Sequence, residues 1–302
     1  MHMSHGVFDL MNTMALGLLI GITMVALLSY VPRELVMGAL GTGSGLNGIL
    51  RATAAGVLLD LCSHGILMVG AKLYERGVSI GQVMAFLIAS PWNSLSLTVI
   101  LVALIGLGWT LAFIVLSVVV AVITGLLFNW CVSRGVLPHN PNTETLPEDF
   151  KFWPSLRSCF SNIEFSASAI AHFIATGIRE SRTVIKWLFI GVIIAAAIRT
   201  FVNDESFGTY FGPSILGLAI TMLAATIIEV CSEGSAPIAT DIMNRANAPG
   251  NGFAFLMAGV STDYTEVMIL RSTTKSWKIA LFLPLLTLPQ IAVIAIILNS
   301  MV

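Results

Sequence analysis

The chain has 302 residues, 56% of them hydrophobic and 10% charged, with a mean hydropathy of +0.91. Soluble domains carry about 25% charged residues, so a soluble fold would leave too much apolar surface in water, and the fitting solvent is a bilayer. A formal net charge of −1 sets up no field to attract nucleic acid. The four cysteines, Cys62, Cys131, Cys159 and Cys231, lie far apart, which excludes a secreted disulfide scaffold.

Residues 1–12 hold no Lys or Arg, and 13–31 are apolar over about the ~20 residues that a span needs. This stretch reads as a first span, not a cleavable leader. Further apolar stretches follow at 46–70, 80–107, 109–132, 184–202, 213–230, 253–270 and 279–298. The one long polar region, 133–182, opens with a turn-rich piece holding Pro138, Pro141 and Pro147. It continues into an expected helix with a polar face at 158–182, suited to the membrane surface. The expected organisation is a first four-helix unit at 1–132, a polar cytoplasmic linker with an amphipathic helix at 133–182, and a second four-helix unit at 183–302.

An internal repeat relates the two units. Asp60-Leu-Cys-Ser-His-Gly65 matches Glu229-Val-Cys-Ser-Glu-Gly234 at an offset of 169 residues. The same offset carries Arg76 onto Arg245, Ala85-Phe86-Leu87 onto Ala254-Phe255-Leu256, and Ile100-Leu101 onto Ile269-Leu270. With a one-residue gap, Trp109 falls on Trp277. Cys, Arg and paired acids are rare in this sequence, so chance accounts poorly for the match.

Two elements of each unit are interrupted. The stretch 46–75 would be roughly 45 Å long as a helix, enough to cross a bilayer with its headgroups, with Cys62 near its middle. The next element breaks at Ser90-Pro91-Trp92-Asn93 in the first unit and around Ser261-Thr262-Asp263 in the second. Proline removes a helix hydrogen bond and glycine permits unwound backbone. Broken helices at the midplane of a duplicated fold are a common way to build a transporter site. A layout in which these pieces re-enter as hairpins would put Lys72, Glu75 and Arg76 near the bilayer centre, where charge is costly. The spanning layout is therefore expected. It gives an all-α polytopic membrane protein of two parallel four-helix repeats, eight spans in all, with broken helices meeting near the membrane midplane. Grouping of Lys and Arg then puts Arg76, Arg245 and the linker inside, with both termini cytoplasmic, in the inner membrane.

The breaks supply the candidate site. Cys62 and Cys231 stand at equivalent positions and form a candidate pair of soft ligands for a soft metal or metalloid; free cysteine is also a small, frequently buried apolar residue, and both readings stay open. Asp60, Glu229 and Glu233 are candidates for a coupling proton, since an ionisable residue at membrane depth is a functional candidate; the bland reading is a helix cap or an ion-pair partner. Asp263 and Glu266 are further acids beside the second break. His64, Ser63, Ser232, Glu233, Asn93, Ser94, Thr262 and Asp263 are candidates to contact a solute. Hydroxyl and amide groups at a helix restart also cap orphan N–H groups.

The Cys-Ser-Xaa-Gly breaks, the Ala-Phe-Leu-Xaa-Ala helix after each, the Ser/Thr/Asn-rich restart and the duplication resemble the predicted-permease family that includes ArsP-like trivalent organoarsenical efflux permeases. The most specific part is Glu229-Val-Cys-Ser-Glu-Gly-Ser-Ala-Pro237. The resemblance implies an eight-span inner-membrane permease exporting a soft or thiol-reactive solute, such as a trivalent arsenical, metalloid or heavy metal, with a role for Cys62-Ser63 and Cys231-Ser232. The alternative is a carrier of another small solute, for example a sulfur compound, or a channel, with the acids forming the site. The chain holds no Gly-Lys-Ser/Thr phosphate loop and no His-Glu-Xaa-Xaa-His or Gly-Xaa-Ser-Xaa-Gly motif. It reads as a non-enzyme without cofactor, whose partners are membrane lipids and a small solute; its oligomeric state does not follow.

Overall fold

Long apolar runs without charge leave the helix as the one local structure that satisfies its own backbone in lipid. The computed structural model describes residues 45–58, 63–89, 95–143, 172–179, 210–228 and 232–301, with isolated positions elsewhere. For 63, 64, 95–97, 99, 100, 232–234 and 237 it describes the backbone alone. The principal elements are α1 (Leu46–Leu58), α2 (Ser63–Glu75), α3 (Ile80–Ile88), α4 (Leu95–Ile105), α5 (Leu107–Ser133), α6 (Ile215–Ile228), α7 (Ser232–Arg245), α8 (Pro249–Thr262), α9 (Tyr264–Thr274) and α10 (Trp277–Asn299). No strand occurs among the described residues. Leu107–Ser133, Pro249–Thr274 and Trp277–Asn299 are long and apolar enough to cross a membrane. The expected spans at 13–31 and 184–202 lie outside the described residues, bar isolated positions. Of the expected amphipathic helix, residues 172–179 are described and helical, with Ile174 and Ile178 exposed one turn apart.

The first four elements of each half start 169 residues apart, and α5 and α10 start 170 apart. The last helices therefore register two residues away from the match suggested by Trp109 and Trp277. Packing fixes this register: Gly81 sits against the Gly125 carbonyl and Asn129, and Gly250 against the Ala295 carbonyl and Asn299. A side chain at either glycine would meet backbone, so the small residue lets the helices approach closely.

In each half one helix is central. Every residue of α3 is buried, and α1, α2 and α5 pack around it; α6, α7 and α10 pack likewise around α8. Ser79 caps α3 in a capping box with Gln82, and Pro249 opens α8, where a missing N–H costs nothing. Threonine and serine hydroxyls inside the bundle bond back to their own helices, as Thr53 does to Ile49 O, Thr221 to Gly217 O and Thr287 to Leu283 O.

The direction of each element follows from its neighbours. Gln82 Nε2 donates to Leu40 O at 2.8 Å, Ile49 lies beside Gly125 next to Gly81 and Ala85, and Gly56 lies on the Phe86 carbonyl. So α1 runs parallel to α3. Gly70 meets the side chain of Leu87, and a tight turn at 76–79, with Gly77 at φ +93°, joins α2 to α3. So α2 runs antiparallel to α3. The expectation that 46–75 crosses as one interrupted helix is thus corrected: α1 and α2 run in opposite directions as a hairpin that enters and leaves at the same end. The second half repeats this, with Asn251 Nδ2 donating to Phe211 O and Gly212 O at 2.9 and 2.7 Å, and Gly252 lying against Ala239 and Met243 of α7. The feared placement of Lys72, Glu75 and Arg76 at mid-depth does not arise, because they stand at the outer end of α2, where the hairpin leaves.

Contacts between the halves set their relative sense. α4 packs on α7, α2 on α9, α5 on α10 and α3 on α8. Along α5 the hairpin and α3 occupy the C-terminal part and α4 the N-terminal part; the same holds along α10. Since α2 meets α9 and α4 meets α7, the C-terminal part of α5 lies level with the N-terminal part of α10. Phe113, near the start of α5, stacks edge-on to Phe253, near the start of α8, with centroids 5.3 Å apart. Hence α5 and α10 are antiparallel, and the two hairpins open at opposite ends of the bundle. This overturns the parallel arrangement and its placement of Arg76 and Arg245 on one side. The sequence argument failed because it counted the hairpin as a crossing, which gave each half an even number.

Glu75 and Asn244 are exposed and occupy equivalent positions at the outer ends of α2 and α7. Cysteines introduced there, in Glu75→Cys and Asn244→Cys, are expected to react with a membrane-impermeant maleimide from opposite sides of sealed cells. Labelling of both from one side would restore the parallel arrangement.

Candidate functional site

Four helices begin in the middle of the bundle: α2 at Ser63, α4 at Leu95, α7 at Ser232 and α9 at Tyr264. Each follows a break, and α3 and α8 approach each other where they end. α2 and α9 leave the middle together toward one end, and α4 and α7 toward the other. A helix N-terminus carries roughly half a positive charge and unsatisfied N–H groups. Four of them at one depth make the centre a polar locus inside an apolar bundle.

The sequence candidates distribute around this centre. Ser63 and Ser232 are the first residues of α2 and α7, with His64 and Glu233 in the same first turns; their side chains lie outside the described residues. Asp60, Cys62, Asn93, Ser94, Glu229 and Cys231 also lie outside them. Among the described residues no three His, Cys, Asp or Glu side chains gather as a metal site would require, and the soft-ligand pair Cys62 and Cys231 is not among those residues. Cys131 is a buried free thiol within α5.

Two candidates are fully visible. Thr262 Oγ1 bonds Ala258 O at 2.6 Å and Thr226 Oγ1 at 2.8 Å, which ties the end of α8 to the end of α6. Asp263 is the N-cap of α9 and accepts from Thr265 N at 2.6 Å. Both therefore have a structural use, and Ser261 beside them is buried and bonds Met257 O and Ala258 O.

Sequence reasoning missed three groups. Gln82 and Asn251 each anchor the entry of a hairpin, and their spacing of 169 residues was the available signal. Gln290 Nε2 bridges the halves to Thr124 Oγ1 at 3.1 Å, while its Oε1 is buried without a partner. Thr226 became visible through its contact alone.

The sequence pattern of a family described as "Predicted permease" (ArsP_1) matches residues 5–301. The UPF0718 protein YcgR of Bacillus subtilis is 24% identical over 268 residues, covering 85% of this chain and 84% of its own length. The UPF0718 protein MJ0584 of Methanocaldococcus jannaschii is 26% identical over 286 residues, covering 78% of each. No solved structure matches.

The cap at Asp263 generates a test. Asp263→Asn is expected to keep the folded protein and its thermal stability in detergent, because Asn caps equally well. Asp263→Ala is expected to cost about 1 kcal/mol. An equal loss in both variants would show that the charge is what matters.

Proposed function

The chain belongs to the ArsP-type predicted permease family, and from that premise we propose that it is a secondary transporter whose two halves arose by duplication and face opposite sides of the membrane. It is a membrane permease; its helices carry the apolar surface that lipid requires. Each half would contribute three crossings and one re-entrant hairpin, six crossings in all in place of the eight expected. Lys72, Arg76, Arg134, Arg271, Lys275 and Lys278 fall at one end of the bundle, and Arg245 at the other, among the described residues. The positive-inside rule supports placing the first end in the cytoplasm. Trp130 and Trp277 mark that same end, each under an arginine, Arg134 at 5.5 Å and Arg271 at 5.3 Å, as interfacial aromatics do. The C-terminus would then emerge on the far side, in place of the cytoplasmic position expected from parallel repeats.

The observation that carries the transport reading is the convergence of both breaks on the middle. Irregular backbone at that depth is tolerated where it lines a cavity or is buried in protein, and inverted repeats with broken helices are a recurrent transporter plan. Rocking of one half on the other would expose the centre alternately to the two sides. The Cys62-Ser63 and Cys231-Ser232 boundaries, one starting each inner helix, support a soft, thiol-reactive solute such as a trivalent arsenical, exported from the cytoplasm. A second reading is favoured by the four helix N-termini: a small sulfur-containing anion, drawn by the helix dipoles.

Purified protein in liposomes is expected to move a trivalent phenylarsenical saturably. Cys62→Ser and Cys231→Ser are each expected to lower that flux at least about tenfold. The double variant should be little worse than either, since residues sharing one site are not additive. Normal flux in both single variants would remove the cysteines from the site. Uptake of sulfite instead of the arsenical would select the second reading.

Glu233→Gln reports on the acid in the first turn of α7. Loss of flux with the protein still folded in the membrane is expected if that carboxylate touches solute or proton; unchanged flux assigns it to capping.

A further inference from the structure

We propose that Glu266 is the coupling residue of the permease, a single carboxyl that binds and releases one proton per transport cycle. This rests on the transport reading above but not on any choice of solute.

Glu266 lies in the first turn of α9, three residues past the Asp263 break, and is only 5% exposed. Among the described residues its carboxyl has no hydrogen-bond or ion-pair partner. The neighbouring acid differs: Asp263 is engaged as the cap of α9. Among the described residues, the fully enclosed side-chain nitrogen or oxygen atoms without a partner reduce to Gln290 Oε1. The unpartnered carboxyl oxygens of Glu266 therefore keep some open surface at the centre of the bundle. A carboxyl held in apolar surroundings, uncompensated yet reachable, has the arrangement of a group that changes its protonation state.

Among the described residues, the elements packed on α9 supply no fixed counter-charge at this depth. α8 carries no ionisable side chain. The one on α10 is Lys278, at its outer end. On α2, Lys72 pairs with Glu75 at 3.1 Å in the last turn, beside Tyr74, and His64 stands in the first turn. On α9 itself, Tyr264 is exposed, and Arg271 is exposed and lies over Trp277. His64 is thus the titratable group on a facing element nearest in depth.

Position 97 corresponds to Glu266 in the first half and is leucine. The duplication thus places the acid in one half alone. One carboxyl at the junction of α9 with α2 of the other half would be open to one side, and then to the other, as the halves rock. On one side the carboxylate takes a proton from water, and on the other the O–H bond breaks and returns the proton to water. No oxidant or second reactant is needed.

Dicyclohexylcarbodiimide, which reacts with protonated carboxyls in apolar sites, tests this without any solute. In proteoliposomes of the full chain, labelling located at Glu266 by peptide mass is expected to fall about tenfold for each pH unit above its midpoint, and to vanish in Glu266→Gln. No label at any pH, or a label indifferent to pH, overturns the proposal. Protection by sodium at fixed pH overturns the proton in favour of a metal cation. With the trivalent phenylarsenical as probe, Glu266→Gln is expected to lose accumulation driven by a pH gradient at least about tenfold while arsenical–arsenical exchange persists, and Glu266→Asp is expected to restore part of the driven flux. Gradient-driven accumulation unchanged in Glu266→Gln overturns the assignment. If wild type moves no arsenical, the choice of solute fails and the labelling alone decides the role of Glu266.

Discussion

The carboxamides of Gln82 and Asn251 hold the architecture in register. Each is buried in the first turns of a central helix and donates to the carbonyls just ahead of a hairpin. A backbone carbonyl buried without a partner costs about 1–3 kcal/mol, so this one bond satisfies the chain where it enters and fixes the level from which α1 or α6 starts. A helix of 13 or 14 residues starting at that level reaches about 20 Å inward, roughly two-thirds of a bilayer core. It has to turn back there. On the second side the anchor is extended: Asn299 Nδ2 donates to Asn251 Oδ1 while Asn299 Oδ1 accepts from Gly250 N, joining the last helix to the same point.

From the hairpin depth follows the position of the breaks. The hairpins end in the middle, α3 and α8 end beside them, and the next helices start there. Because the halves are antiparallel, the starts of α2 and α9 travel together, and those of α4 and α7 likewise. The centre thus receives helix N-termini from both halves, paired so that α2 runs with α9 and α4 with α7. The surface that faces lipid is the complement: Leu111, Val115, Val119 and Leu126 form an exposed stripe on α5, and Leu281, Leu285, Val293 and Ile296 form one on α10.

Symmetry of backbone and asymmetry of charge are separate features of this chain. The close glycine contacts at Gly81 and Gly250 and the carboxamide anchors at Gln82 and Asn251 recur at matching positions, whereas the helix caps differ, Ser79 capping α3 by its side chain and Ala248 leaving α8 without a side-chain cap. Charge at the breaks recurs only in part: an acid stands at both Asp60 and Glu229, but His64 faces Glu233 and Leu97 faces Glu266 in the alignment. Packing constrains the repeated groups in both halves equally, while a coupling group is needed only once along a shared path.

By itself the sequence determined the class of protein, the all-helical content, the boundaries of the interrupted elements and the correspondence between the halves, because hydropathy and rare residues at a fixed offset are local properties. Ser79 and Gln82 as a capping box, Pro249 at a helix start and the residues flanking Cys62 and Cys231 are readable in the same way. Only the tertiary structure decided whether 46–75 crosses or turns back, since a run of 30 apolar-rich residues has the right length for either. The deciding contacts, Gly56 on Phe86, Gly70 on Leu87 and Gln82 on Leu40, join elements distant in the chain. The relative sense of the halves inherited that ambiguity, because one crossing more or less per half inverts it. The surroundings of Glu266 were likewise invisible: a sequence shows that an acid is present, and only the packing of α2, α8 and α10 around it shows that, among the described residues, nothing answers its charge.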